Sequence, residues 1–201
     1  MDKLQLKKLL NLGLETGADF SELYFENTYS NVMEMTLGKV SNVSSSNIHG
    51  VAVRLLKGTE EVYAYNNKTS YEEIEKLVKK AASSFSDDRV CEAKELKEVP
   101  YENLTPVEVS PNTALNEEKK QYLLAATNGA LSVGEDVKQV ICNFTDVEQN
   151  ILIVNSNGVY AKDVRTNCRA SVSVVAQNGN KTQTANNNTG RNMGMEFFRT
   201  V

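Results

Sequence analysis

One histidine, His49, occurs in the 201 residues of this chain. A zinc centre drawing two or three histidines from the protein cannot be built from it. A Ser-His-Asp relay would have to use His49, and no Asp, Glu or Cys lies close to it in sequence. His49 therefore reads as a turn or strand-end imidazole beside Gly50, not as a ligand or general base. Cys91, Cys142 and Cys168 are odd in number, scattered and without a CxxC pair. That is the pattern of reduced cytosolic thiols.

Carboxylates and guanidinia are the remaining chemistry. Glu22, Glu26 and Glu34 lie along one extended region, where the two-residue period puts Glu22 and Glu26 on the same face. Paired carboxylates can do acid–base work; on an exposed face they are usually solvation, and that is our reading. Arg54, Arg165 and Arg191 could each take a peptide carboxylate or carbonyl, or form ordinary ion pairs. Gly190 before Arg191 lacks the spacing of a phosphate loop. The polar run 186–192 reads either as a substrate loop or as a disordered end.

These residues need a scaffold, and composition says that one exists. Hydrophobic residues make up 40% and charged residues 24% of the chain, enough apolar content to form a core. The formal net charge of −4 argues against nucleic acid as a partner. No apolar run approaches the ~20 residues of a membrane helix, and the N-terminus shows no secretory pattern.

Leucines at 6, 9, 10 and 14 predict a helix over 3–16 stopped by Gly17. Residues 21–66 alternate as four short strands, with turns at Gly38-Lys39 and Lys57–Glu60. Ile74, Leu77, Val78, Ala81, Ala82 and Phe85 form an apolar stripe, predicting a helix over 71–85 opened by a Ser70/Glu73 capping box. All three prolines fall at 100, 106 and 111, within a stretch (86–115) that reads as an extended, solvated connection. Asn116 is then expected to cap a helix reaching about Leu131. Strands at 137–147, 149–155, 159–165 and 168–177 follow. The expected fold is α+β, in two lobes, each a helix packed with an antiparallel meander of about four strands: 1–85, the connection 86–115, and 116–201. The repeated order reflects either internal duplication or a common way to build a two-layer unit. Phe197 and Phe198 lie in an apolar segment near the last residue; they either dock back on a lobe or belong to a chain cut short before the surface that would bury them, and the second is our expectation.

In order, several blocks resemble the N-terminal part of the TldD/PmbA family, once called modulators of DNA gyrase. They are Gly17-Ala18-Asp19 with Glu22-Leu23-Tyr24-Phe25-Glu26, Gly50-Val51-Ala52-Val53-Arg54 with Ala64-Tyr65, Asn155-Ser156-Asn157-Gly158 with Asp163-Val164-Arg165 and Ser171–Val174, and Gly190-Arg191 with Glu196-Phe197-Phe198. The resemblance covers nearly the whole chain, and the Leu23-Tyr24-Phe25 and Asp163-Val164-Arg165 steps look more like the TldD side. It implies a cytoplasmic zinc metallopeptidase that acts on unfolded peptides with a PmbA-like (TldE) partner or as a self-associated dimer. The family's HExxxH-type helix lies beyond the matched region, and this chain has no such motif. No catalytic and no metal residue is carried over, zinc is expected only in the full-length member, and the isolated chain is expected to be inactive. The implied role is substrate channel and dimer surface, with Arg165, Gly190 and Arg191 as substrate-binding candidates. Where the family runs glycines before Gly-Arg, this chain has Asn186-Asn187-Asn188-Thr189. The alternatives are a non-catalytic PmbA/TldE-like partner or peptide-binding module, and an unrelated α+β structural domain.

Overall fold

The structure, a computed structural model, describes residues 1–100 and 103–200. The fold is α+β. Among the described residues the helices are α1 (Lys3–Gly13), α2 (Tyr71–Ala82) and α3 (Asn116–Leu131). The strands are β1 (Phe20–Thr36), β2 (Lys39–Lys57), β3 (Glu60–Asn66), β4 (Lys97–Glu98), β5 (Val137–Asn155), β6 (Val159–Asn178) and β7 (Lys181–Arg191). A 3-10 helix, Met195–Arg199, follows β7. Strand order is β3-β2-β1-β5-β6-β4, with β7 also paired to β6.

Strands that the sequence divides run on as single long ones. The polar segment 40–46 and the apolar segment 51–55 are both β2, and 137–147 continues through 149–155 as β5. Two compact units result: Met1–Asn27, Ile48–Glu102 and Asn150–Val164 form one, and Thr28–Asn47, Asn103–Gln149 and Arg165–Val201 form the other. They interleave along the chain instead of following one another, because β1, β2, β5 and β6 each pass from one unit into the other. The tight turn also sits one residue earlier than expected. Leu37 and Gly38 both have positive φ (48° and 76°), as a type I′ hairpin turn requires.

In the first unit α1 opens with a reciprocal capping box: Asp2 accepts from the Gln5 amide at 2.8 Å and Gln5 accepts from the Asp2 amide at 3.1 Å. It ends at Gly13, earlier than the leucine pattern suggested, with Leu14 as its C-cap. Leu6, Leu9, Leu10 and Leu14 pack with Ile74, Val78, Ala81 and Ala82 of α2 against Leu23, Val51, Val53, Leu55 and Val154. The Ser70 hydroxyl accepts from the Glu73 amide, as expected for the start of α2. The connection is not wholly solvated: Ala93 and Leu96 enter this core. Their backbone follows β6, with the Lys97 amide donating to Gly158 and the Val99 amide to Tyr160.

In the second unit α3 begins at Asn116, but the N-cap position is Leu115 and no side chain caps it. Leu123 and Thr127 lie buried one and two turns beyond Lys119, which is also buried. The core joins Met33, Met35, Leu123, Val140, Cys142, Phe144 and Cys168 with Met195 and Phe197. The tail is therefore a largely exposed strand followed by a buried aromatic end. Residues 181–191 form a strand, and Phe197 is 0% exposed. Phe198 stacks on Tyr122 at 4.0 Å between ring centroids. Burying Phe197 stabilises this unit by roughly 1.5–3 kcal/mol. The surface that buries Phe197 is supplied within the chain by α3, β1, β5 and β6.

Candidate functional site

The β6–β7 hairpin positions the candidate binding residues. Its register runs from Asn178↔Lys181 to Cys168↔Arg191. Residues directly opposite in an antiparallel pair point to the same side of the sheet. Cys168, Ala170, Val172 and Val174 join the core, and their partners Arg191, Thr189, Asn187 and Ala185 share that side. Arg169, Ser171 and Ser173 face the other way, with partners Gly190, Asn188 and Asn186. A Cβ placed on Gly190 would lie 3.7 Å from Cβ and Cγ of Arg169. The missing side chain leaves a depression of about 420 Å³ lined by Asn167, Arg169, Asn188, Thr189 and Gly190.

Of the three residues singled out from sequence, two share a face. Arg165 lies four positions before Arg169 on β6, so parity puts it on the face of Arg169 and Gly190. Arg191, paired with Cys168, lies on the opposite face. Sequence reasoning missed Arg169. The signal was present, because once Asn178-Gly179-Asn180-Lys181 is taken as a two-residue hairpin, counting outward sets Arg169 against Gly190.

The hairpin also exposes backbone. The residues flanking a two-residue loop exchange both backbone hydrogen bonds, and bonded pairs then recur every second residue. Here these are Asn178–Lys181, Ala176–Gln183, Val174–Ala185, Val172–Asn187 and Ala170–Thr189. Thr182, Thr184, Asn186, Asn188 and Gly190 consequently turn their N–H and C=O groups away from β6. Among the described residues no further strand pairs with β7.

The other candidates resolve into structural roles or separate surfaces. Arg54 pairs with Glu61 at 2.6 Å. Glu26 accepts from the Tyr24 hydroxyl at 2.9 Å and Glu22 from the Asn155 amide at 3.4 Å. Glu34 accepts from the Ser41 hydroxyl at 2.8 Å. His49 is exposed and borders an open cavity of about 530 Å³ with Tyr24, Ala52, Tyr63 and Tyr65.

Buried charge lies elsewhere, in the core of the second unit. Lys119 Nζ donates to Asp146 Oδ2 at 2.6 Å, and Asn31 Nδ2 donates to Asp146 Oδ1 at 2.7 Å. Nearby, burial pushes the Cys168 thiol up to about 12, with Asp146 adding to the shift and Lys119 opposing it. Burial also raises Cys142, against a hydrogen bond shared with Thr127. Both are protonated packing thiols. Among the described residues no three His, Cys, Asp or Glu side chains gather as metal ligands, so the residues present do not fit a zinc site. Nor is any helix among them long and apolar enough to cross a membrane.

Comparison with known proteins places this geometry in a lineage. Residues 21–85 match the family model for PmbA/TldA metallopeptidase domain 1, and residues 110–201 match the model for the central domain. A metalloprotease TldD homologue of Buchnera aphidicola subsp. Acyrthosiphon pisum is 26% identical over 187 residues, covering 90% of this chain and 37% of the relative. A Methanocaldococcus jannaschii metalloprotease is 28% identical over 184 residues, covering 88% and 40%. The chain thus spans about two fifths of the length of these relatives. Among solved structures, a Thermotoga maritima protein assigned as a modulator of DNA gyrase superposes with a TM-score of 0.75 at 15% identity, over 94% of this chain and 43% of that one. TldE from Thermococcus kodakarensis superposes with a TM-score of 0.70 at 14% identity, over 94% and 43%. With both domain models matched in order and the fold shared, the chain belongs to the PmbA/TldD metallopeptidase family.

Proposed function

We propose that this chain is the N-terminal region of a TldD-type zinc metallopeptidase that cleaves unfolded peptides, and that it lines the substrate channel and contributes to a dimer surface. The observation that carries the reading is the unpaired β7 edge, whose outward N–H and C=O groups can bond an extended chain of any sequence. Arg165, Gly190 and Arg191 are the proposed substrate-binding residues, Arg165 and Gly190 on one face and Arg191 on the other. Zinc, which when bound would polarise the scissile carbonyl and activate water, and the general base come from sequence outside this chain. A TldE-like subunit is the proposed partner, and the cytoplasm the proposed location, in keeping with the free thiols of Cys91, Cys142 and Cys168. Relatives named TldD support this reading; the alternative is a non-catalytic PmbA/TldE-like partner or peptide-binding subunit.

The test compares the 201-residue chain with the product of the full reading frame that contains it, on a fluorescently labelled unfolded protein, with zinc measured by elemental analysis. The expected result is zinc-dependent cleavage by the longer protein, and peptide binding without cleavage by the chain. Cleavage by the chain itself, or a zinc-free, inactive longer protein, would overturn the reading.

A further inference from the structure

The hairpin has a charge pattern that a general peptide edge does not need. From Arg165 to Arg191 the sequence carries Arg165, Arg169, Lys181 and Arg191 and not one Asp or Glu. The other polar residues there are Asn, Gln, Ser and Thr. Asp136 bonds Asn178 at the loop end, 2.9 Å away, and Asp146 and Glu196 act on Cys168 from the core side, the face opposite Arg169. Arg169 has no ion pair among the described residues. Its neighbours across the strand are the bare Gly190 and the amide of Asn188. The guanidinium therefore sits beside a strand edge, in a depression lined by amides and a hydroxyl, without a counter-charge.

We propose that the β7 edge takes extended peptides bearing acidic side chains, and that Arg169 selects them by pairing with the carboxylate. This rests on the reading of β7 as a peptide-binding edge. An added strand alternates its side chains between the two faces, so every second residue would pass over the face of Gly190 and Arg169. A carboxylate there meets a planar two-donor fork, which favours Asp or Glu over the neutral amides of the same shape. Binding needs no proton transfer or bond change. The surface reads charge while the backbone ladder holds the chain.

The test is fluorescence anisotropy on the 201-residue chain with three labelled ten-residue peptides: alternating Thr-Asp, alternating Thr-Asn and alternating Thr-Lys. At low salt the Asp peptide is expected to bind about tenfold more tightly than the Asn peptide, and the Lys peptide more weakly than either. Arg169→Gln should bring the Asp/Asn ratio to within about twofold while Asn-peptide affinity holds, and Arg169→Lys should restore part of the preference. Lys181→Gln, at the loop end and on the face opposite Arg169, removes the same net charge and should leave the ratio intact. Equal binding of Asp and Asn peptides, or a preference that survives Arg169→Gln, overturns acidic selection but leaves the peptide edge standing. Binding of none of the three peptides overturns both.

Discussion

Gly190 stands directly opposite Arg169 in the β6–β7 ladder, and a Cβ at Gly190 would touch the Arg169 stem at 3.7 Å. Gly190→Val would fill the depression without disturbing a core, since the position is exposed. Its effect on stability should stay within about 0.5 kcal/mol, while peptide affinity at the β7 edge falls about tenfold. A thermal melt and an anisotropy titration together check this. A large loss of stability with unchanged affinity would mean that Gly190 serves only the fold.

Lys119 and Asp146 are a buried pair, with side chains 4% and 1% exposed. Removing one partner strands the other in the core. Lys119→Met should cost about 3–5 kcal/mol, and a Lys119→Met/Asp146→Leu double variant should recover much of that loss. Urea unfolding of the single and double variants measures the difference. Should Lys119→Met cost less than a surface change, the pair is solvated and its burial misread.

Glu196 ties the 3-10 helix to the loop before α3. Burial alone would raise its carboxyl, but bonds from backbone amides, including Gly194 at 2.7 Å and Val109 at 3.1 Å, outweigh burial and hold it below the usual value. A carboxyl depressed in the folded state adds stability above its unfolded value, 4.5, and loses it as pH falls through the lower folded value. Glu196→Gln should therefore lower the melting temperature at pH 7. The gap to the unaltered chain should close as pH drops below 4.5. A gap that stays constant down to pH 2 would contradict the assignment.

Gly158 closes the turn between β5 and β6 with φ +92°, and a Cβ there would come 2.8 Å from the Glu95 carbonyl oxygen. Backbone cannot yield as a side-chain tip can. Gly158→Ala should destabilise the first unit by about 1–3 kcal/mol, read as a lower urea midpoint with an unchanged slope. No shift in midpoint would show that the 93–99 segment moves aside at little cost.

Local patterns in the sequence carried much of the fold. The leucine spacing of α1, the apolar stripe of α2, the helical span of α3 and the turn at Gly58 all appear where the side-chain period puts them. The helix ends moved, because caps are decided by which backbone groups find partners, and Leu115 instead of Asn116 occupies that position. Motif order singled out Arg165 and Gly190 as candidates, and the hairpin register puts them on one face. Arg169 was not legible, because its significance comes from a partner across the strand, 21 positions away. Lys119 and Asp146 were illegible for the same reason: each reads as a solvated charge until α3 is laid on β5.

By itself, then, the sequence determined the α+β class and membership of the PmbA/TldD metallopeptidase family, since these follow from local periodicity and ordered short motifs. Tertiary structure decided that Asn186–Thr189 form a strand and that Phe197 has a core to enter. It also decided that Arg165 and Gly190 share a face from which Arg191 is excluded. Strand register is a relation between distant segments, and a shift of one residue reverses every side chain.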